Sequence, residues 1–228
     1  MTNLQDYGLN QDYLYEVLAC TISKKNEIEY PNTASMGIRV IDDKKLKIKP
    51  YYNTQTHRNI KEYGIVSLNF IDNVTLFAQA SLKEIEGDSK GIPIEDYLYY
   101  EYNYRGKNCK SPYLKQSWMV LFCNVINETH IIKQDNIGTI NATEFEMEVV
   151  SSIKNRDSFK LYNRAENLAL ESIILATRLK IARKNKDEIL YSKIESRIND
   201  YFEMITKFGK NSNALIAINL VKDYIKVL

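Results

Sequence analysis

Up to about residue 155 the apolar positions recur with a period of two; beyond it they step by three and four. YLYEVLACTI, Tyr13 to Ile22, is almost wholly apolar and predicts a strand buried on both faces. SMGIRVI, Ser35 to Ile41, predicts another. In KKLKIKP, Lys44 to Pro50, Lys45, Lys47 and Lys49 alternate with Leu46 and Ile48, a strand with one wet face, and Asp42-Asp43 supplies the hairpin turn before it. Asn53 to Tyr63 predicts a short helix that Gly64 stops in the C′ position. Ile65 to Phe70 returns to strand, and Asn73 caps a second short helix with Val74, Phe77, Ala78, Ser81 and Leu82 on one face. Gln116 to Ile126 predicts a strand, as does Thr143 to Val149, where Glu144, Glu146 and Glu148 alternate with Phe145, Met147 and Val149. Lys83 to Lys115 is polar, carries five tyrosines between Tyr97 and Tyr104, and reads as a lid or arm.

The remainder is helical. Leu161, Ala165, Leu168, Ser172, Leu175, Leu179 and Ala182 share one stripe, and Tyr191, Ile194, Ile198, Tyr201, Ile205 and Phe208 share a second, which Gly209 ends. Ile218, Val221, Ile225 and Leu228 belong to a third helix capped near Ser212. The fold class is therefore mainly β plus α. A β-barrel-like domain over residues 1–155 precedes a three-helix C-terminal domain over 156–228.

Composition narrows the function. The 228 residues include 31 Lys+Arg against 29 Asp+Glu, a formal charge of +2, so the whole-molecule field does not grip nucleic acid or an anionic membrane. A local basic run, Arg178, Lys180, Arg183, Lys184 and Lys186, is diluted by Asp187, Glu188 and Glu195. No stretch of 18 apolar residues and no basic-then-apolar leader is present, so the expected compartment is the cytoplasm. Three cysteines without C-x-x-C spacing and only two histidines predict no metal site; Cys20 and Cys123, in apolar runs, read as small buried hydrophobes. With 8 glycines and neither a G-x-G-x-x-G nor a G-x-x-x-x-G-K-[ST] motif, any bound phosphate is held by another device.

One segment offers such a device, and a second offers a surface for a flat ligand. In KPYYNTQTHRN, Lys49 to Asn59, a strand ends at Pro50 and the hydroxyls of Thr54 and Thr56 fall in or beside the first turn of a helix, followed by Arg58 and Asn59. Unpaired amides at a helix start, hydroxyls and cations suit a phosphate monoester. The same residue types are also ordinary N-caps on a solvated face. In YPNTASMGIRV, Tyr30 to Val40, small or polar residues (Asn32, Ala34, Ser35, Gly37) lead into a buried strand, where a flat ligand can approach the backbone; taken alone, the segment reads as a plain loop with a turn proline.

The ordered set YLYEV, PNTASMGIRV, KLKIKPYYNTQTHRNI and GIVSLNF resembles the archaeal family known as domain of unknown function 447, within the FMN-binding split-barrel superfamily of flavin reductases and pyridoxamine phosphate oxidases. NRAENLALESIILATRL, Asn163 to Leu179, resembles that family's helical half, so the likeness spans nearly the whole chain. The resemblance implies a split β-barrel homodimer with FMN at or near the subunit interface. It implies that Thr54, Thr56 and Asn59 hold the phosphate, with Lys49 or Arg58 supplying charge, and that Asn32 to Gly37, including Ser35 and Met36, line the isoalloxazine ring through their backbone. His57 stands where relatives are expected to carry Tyr or Arg, and the segment from Lys83 to Lys115 is longer and richer in tyrosine than theirs.

With FMN in place, the expected activity is a flavin-dependent oxidoreductase acting on an unknown small substrate; a deazaflavin in the same barrel is a variant of that reading. No side chain declares itself an acid or base, although His57 and His130 titrate nearest neutrality. Tyr51, Tyr52, Trp118 and the tyrosine-rich arm offer stacking surfaces, though aromatics in strands are more often core. The alternatives are a protein that stores or senses FMN without turnover, and an interaction module whose helical tail recruits a partner.

Overall fold

The computed structural model describes residues 4–26, 28–82, 91–135, 138–158, 163–208 and 212–228. Its strands are β1 (Leu14–Lys25), β2 (Ile28–Val40), β3 (Lys45–Ile48), β4 (Ile65–Phe70), β5 (Tyr97–Tyr104), β6 (Lys107–Leu114), β7 (Met119–Asp135) and β8 (Gly138–Lys154). Its helices are α1 (Gln55–Tyr63), α2 (Val74–Ser81), α3 (Arg164–Lys184), α4 (Glu188–Phe208) and α5 (Ser212–Val227). Leu161, Gly209 and the 83–90 part of the expected arm lie outside the described residues.

Two compact units are present. Among the described residues the first takes the chain to Ile71, Pro93–Asp135 and 139–158; the second takes Asp72–Leu82 and the C-terminal helices. Six strands of the first unit close a barrel in the order β1-β2-β3-β8-β7-β4, with β4 returning to β1 through Leu18↔Asn69 and Cys20↔Ser67. Alternation decides which side chains fill it. Val17 and Ala19 of β1, Ile38 and Val40 of β2, Leu46 and Ile48 of β3, Val66 and Leu68 of β4, Met119, Leu121 and Cys123 of β7, and Phe145 and Met147 of β8 form one buried cluster.

The two alternating segments read from the sequence pair with each other. Register Lys45↔Glu148, Leu46↔Met147, Lys47↔Glu146 and Ile48↔Phe145 puts lysines and glutamates together on the outer face. There Lys45 meets Glu146 at 3.8 Å, Lys47 meets Glu144 at 3.6 Å and Lys49 meets Glu144 at 2.6 Å. The hairpin turn forms at Asp42-Asp43, where Asp42 Oδ1 accepts from the amides of Lys44 and Lys45.

Three strands exceed their expected lengths. β2 begins at Ile28, so Asn32 to Gly37 lie inside a strand paired with β1 rather than in a loop before it. β7 and β8 also run well past the apolar stretches that announced them. Tyr13 precedes β1 and, with Leu14, is exposed at 61% and 60%; double-sided burial starts only at Val17.

The described part of the tyrosine-rich segment is no lid. It forms the β5–β6 hairpin, turned at Arg105-Gly106, where both residues have positive φ (50° and 79°), the geometry of a two-residue I′-type turn. The hairpin covers the outer face of β1, β4 and β7. Phe122 is fully buried beneath it, with Tyr100 stacked at 4.4 Å, Tyr102 at 6.2 Å and Tyr113 edge-on at 5.7 Å. Tyrosine hydroxyls anchor its rim, Tyr100 to Ser151 Oγ at 3.0 Å, Tyr102 to Asn124 Oδ1 at 2.9 Å and Tyr104 to Glu148 Oε2 at 2.8 Å. Asn69 pins the other side through bonds to Leu18 O (3.1 Å), Leu114 N (2.9 Å) and Ser117 Oγ (3.0 Å).

In the second unit α2 starts at the expected cap, with Asn73 accepting from the Thr75 amide at 2.9 Å, and packs with α3 and α5. α3 buries Ala165, Ala169, Ser172, Ile173, Ala176, Leu179 and Ala182, so the stripe read through Leu168 and Leu175 is displaced by one position in its middle. Alanines there allow close helix approach. α4 buries Ile194, Ile198 and Ile205, and α5 buries Ala217, Ile218 and Val221. No helix among the described residues is long and apolar enough to cross a membrane.

Candidate functional site

Pro50 ends the run after β3, and Asn53 turns the chain through a left-handed conformation (φ 61°) into α1. Thr54 caps the helix, its Oγ1 accepting from the His57 amide at 3.2 Å and donating to Tyr51 O at 2.9 Å. Gly64 closes it in the left-handed region (φ 66°), bonding to Ile60 O at 2.8 Å. The amides of a helix's first turn have no intrahelical acceptor, and the capping hydroxyl satisfies one of them.

The helix has two faces of different character. Ile60 enters the barrel core, and Thr56 and Asn59 share its buried side at 4% and 2% exposure, whereas Thr54 and Arg58 lie on the exposed side. Asn32 Nδ2 donates to Thr56 Oγ1 at 3.1 Å and to Thr21 Oγ1 at 3.2 Å. Asn59 Nδ2 donates to Thr21 Oγ1 at 2.9 Å, and its Oδ1 accepts from Gln55 Nε2 at 2.6 Å. The two segments singled out in the sequence therefore meet, joined by a buried polar network.

That network separates residues that the sequence grouped. Thr56 and Asn59 turn inward and tie α1 to β1 and β2. Thr54 stands at the exposed start of the helix with Arg58, whose guanidinium donates to Asn53 O at 2.7 Å and Gln55 Oε1 at 3.0 Å. Lys49 is engaged elsewhere. Partial burial works against the Glu144 carboxylate, but its hydrogen bond and charge contact with Lys49, helped by Lys47, outweigh that and hold its pKa below the ordinary value. Arg58 lies exposed in the first turn of α1.

On β2, residues Asn32 to Gly37 pair with Thr21 to Glu16 of β1 along one edge. The opposite edge meets β3 only at Ile38, Arg39 and Val40, and no strand among the described residues covers it at 32–37. A strand edge of this kind offers alternating N–H and C=O groups to a flat ring. Met36 packs on the barrel core, Ser35 is half-buried, and Gly37 has no room for a side chain without pressing Leu14, which a Cβ would meet at 3.2 Å. Tyr97 reaches across from β5, its hydroxyl 2.6 Å from Thr33 Oγ1, and burial pushes the phenol pKa up so that it stays protonated.

His57 is buried at 3% exposure, with Nε2 3.0 Å from Thr143 Oγ1 of β8 and its ring 5.1 Å from that of Tyr52 and 5.9 Å from that of Phe145. Trp118 packs edge-on against Phe70 at 5.5 Å, and Tyr100 and Tyr102 lie on Phe122; Tyr51 and Tyr52 are exposed beside the helix start. Sequence reading missed Thr21, Gln55 and Thr143. A signal existed for the first two: Thr21 is a hydroxyl in an otherwise apolar strand, and Gln55 precedes Asn59 by four on one helix face.

A family model described as protein of unknown function (DUF447), N-terminal domain, matches residues 15–156. An uncharacterized protein of Methanocaldococcus jannaschii, MJ1453, is 27% identical over 191 residues, covering 82% of this chain and 87% of that protein. The crystal structure of an FMN-bound protein of Methanosarcina mazei, MM1853, superposes with a TM-score of 0.74 at 17% identity, covering 97% of this chain and all (100%) of that one. The chain thus shares the fold of that protein, a six-stranded barrel with C-terminal helices as the sequence led us to expect.

Proposed function

We propose, from the premise that this chain belongs to the DUF447 family, that it binds FMN between the exposed start of α1 and the open edge of β2 and works as a flavin-dependent oxidoreductase on a small substrate. The observation that carries the reading is the contact of Asn32 with Thr56, which sets a helix start bearing Thr54 and Arg58 beside an uncovered strand edge. The FMN in the similarly folded Methanosarcina protein agrees with it. The residues fit the group: a hydroxyl, first-turn amides and a guanidinium suit a phosphate, and the 32–37 edge with Gly37 suits a planar ring.

In this reading Thr54 and Arg58 face the phosphate, while Thr56, Asn59, Thr21 and Asn32 fix the helix to the strand that lines the ring. When bound, the flavin supplies hydride and electron transfer; the chain binds, orients and excludes water. A second copy completes the assembly, and exposed Tyr13, Leu14, Ile28 and Tyr30 offer the first hairpin's apolar surface to it. Light scattering of the purified protein at twice the chain mass supports that part, and at one chain mass defeats it.

The test is the visible absorption spectrum of the purified chain, with release and identification of any chromophore. An FMN spectrum near one equivalent per chain, bleached by a reduced nicotinamide nucleotide, supports the enzyme reading. A yellow protein that no donor bleaches is a store or sensor instead. Arg58→Ala is expected to weaken FMN by about 1.5–3 kcal/mol, the loss of one hydrogen bond to a charged group, while riboflavin binding stays unchanged. Equal losses for FMN and riboflavin, measured by fluorescence quenching, would remove the phosphate from this helix.

A further inference from the structure

We infer that His57 is an acid-sensitive latch: neutral, it ties the first turn of α1 to β8, and its protonation releases that end of the helix from the barrel. The latch stands on the chain's own geometry; only its effect on cofactor binding rests on the FMN reading.

The imidazole has one partner and one vacancy. Nε2 lies 3.0 Å from Thr143 Oγ1, and Nδ1 is buried without a hydrogen-bond partner. A buried N–H with no acceptor is rarer and costlier than a bare lone pair, which places the ring proton on Nε2, donating to Thr143. Protonation would add an N–H at Nδ1 with nothing to receive it, inside a cage formed with Tyr52 and Phe145. The new charge would also sit in the first turn of a helix, where the backbone dipole is already positive.

The surrounding charges point the same way. Arg58 and Lys61 stand on α1 itself, and β7 contributes Glu128 and His130. β8 presents Thr143 and Phe145, the preceding loop presents Tyr52, and β1 and β2 present Thr21 and Asn32 to the helix, none of them a carboxylate. Glu128 alone among the named groups favours the imidazolium, and its Oε1 is held by Lys61 Nζ at 3.2 Å. Burial first, then Lys61, Arg58 and His130, lower the His57 pKa. The unfolded chain therefore takes up this proton at a higher pH than the folded one. Stability from the neutral ring is complete above about pH 6.5 and declines as the pH falls below it. The first turn that moves carries Thr54 and the Thr56–Asn32 bond, so release disturbs both halves of the candidate site at once.

The experiment uses the full chain without ligand. The sequence holds two histidines, so a long-range proton–nitrogen spectrum from pH 8 to 5 resolves both rings, with His130→Gln assigning them. The expected result is an Nε2-protonated neutral His57 that persists below about pH 6.5, the ordinary imidazole value. Over the same range the wild-type melting temperature should fall by about 2–4 °C more than that of His57→Phe or His57→Gln. The FMN dissociation constant should rise more steeply with acid in the wild type than in either variant, since the phosphate's own ionisation near about pH 6 affects all three alike. His57 taking up its second proton at or above about pH 6.5 in the folded chain, or parallel melting profiles, overturns the latch. If neither variant folds, the wild-type titration decides by itself. A chain that binds no FMN at any pH defeats the flavin reading, while the ligand-free titration still decides whether His57 is a latch.

Discussion

Phe122→Ala is expected to destabilise the barrel unit by about 3–5 kcal/mol, the range for truncating a buried aromatic. Phe122 points out of the barrel, yet it is fully buried because the β5–β6 hairpin lies on it. Three tyrosine rings, Tyr100, Tyr102 and Tyr113, pack against that side chain. Removing it opens a void that backbone hydrogen bonds within the hairpin prevent from closing. The sequence contains one tryptophan, Trp118, and it packs on Phe70 inside the first unit. Urea unfolding followed by its fluorescence therefore reports on this unit. A loss below about 0.5 kcal/mol, the level of an ordinary surface change, would mean that the hairpin is not seated on Phe122.

Asn69→Leu keeps the same number of side-chain heavy atoms and the same branching at Cγ, and is expected to cost about 2–5 kcal/mol. Asn69 is fully buried, and its amide and carbonyl serve two elements at once. Its Nδ2 satisfies Leu18 O, and its Oδ1 receives the Leu114 amide and the Ser117 hydroxyl. A leucine strands an acceptor on β1 and a donor at the end of β6, each costing about 1–3 kcal/mol when buried and unpaired. Because Asn69 and Phe122 hold the same hairpin, the double variant should lose less than the sum of the single ones, and urea curves of all four proteins measure that coupling. Strict additivity would show the two anchors to be independent.

Much of the barrel is legible in the sequence because its strands announce themselves on the inner face. Lys45 to Lys49 and Glu144 to Glu148 alternate cleanly, and the register joins their charges. The ends of β2, β7 and β8 are illegible for the complementary reason: where both faces of a hairpin arm are wet, as at Asn127 to His130, alternation carries no contrast. The tyrosine segment carries its pattern in plain view. Tyr100, Tyr102 and Tyr104 alternate with Glu101 and Asn103 before the Arg105-Gly106 turn, a hairpin signature that its stacking potential for ligands obscures. At the candidate site, spacing alone places Thr56 and Asn59 three apart on one face with Ile60. The partners waiting on that face, Thr21 and Asn32, come from other strands, and only the closed barrel brings them there.

The walls of this barrel are unequal, and that governs how it breathes. Around Leu18 to Cys20, Ser67 to Asn69 and Phe122, strands are sandwiched between the inner core and the hairpin, whereas four-residue β3 shows its outer face to water. In heavy water the amides of the first group should exchange only when the whole unit unfolds, while those of Lys45 to Ile48 exchange through local fluctuations. The barrel then parts along β3, the neighbour of the uncovered edge at Asn32 to Gly37, with its opposite wall still shut. Ligand entry by that route needs no separate lid.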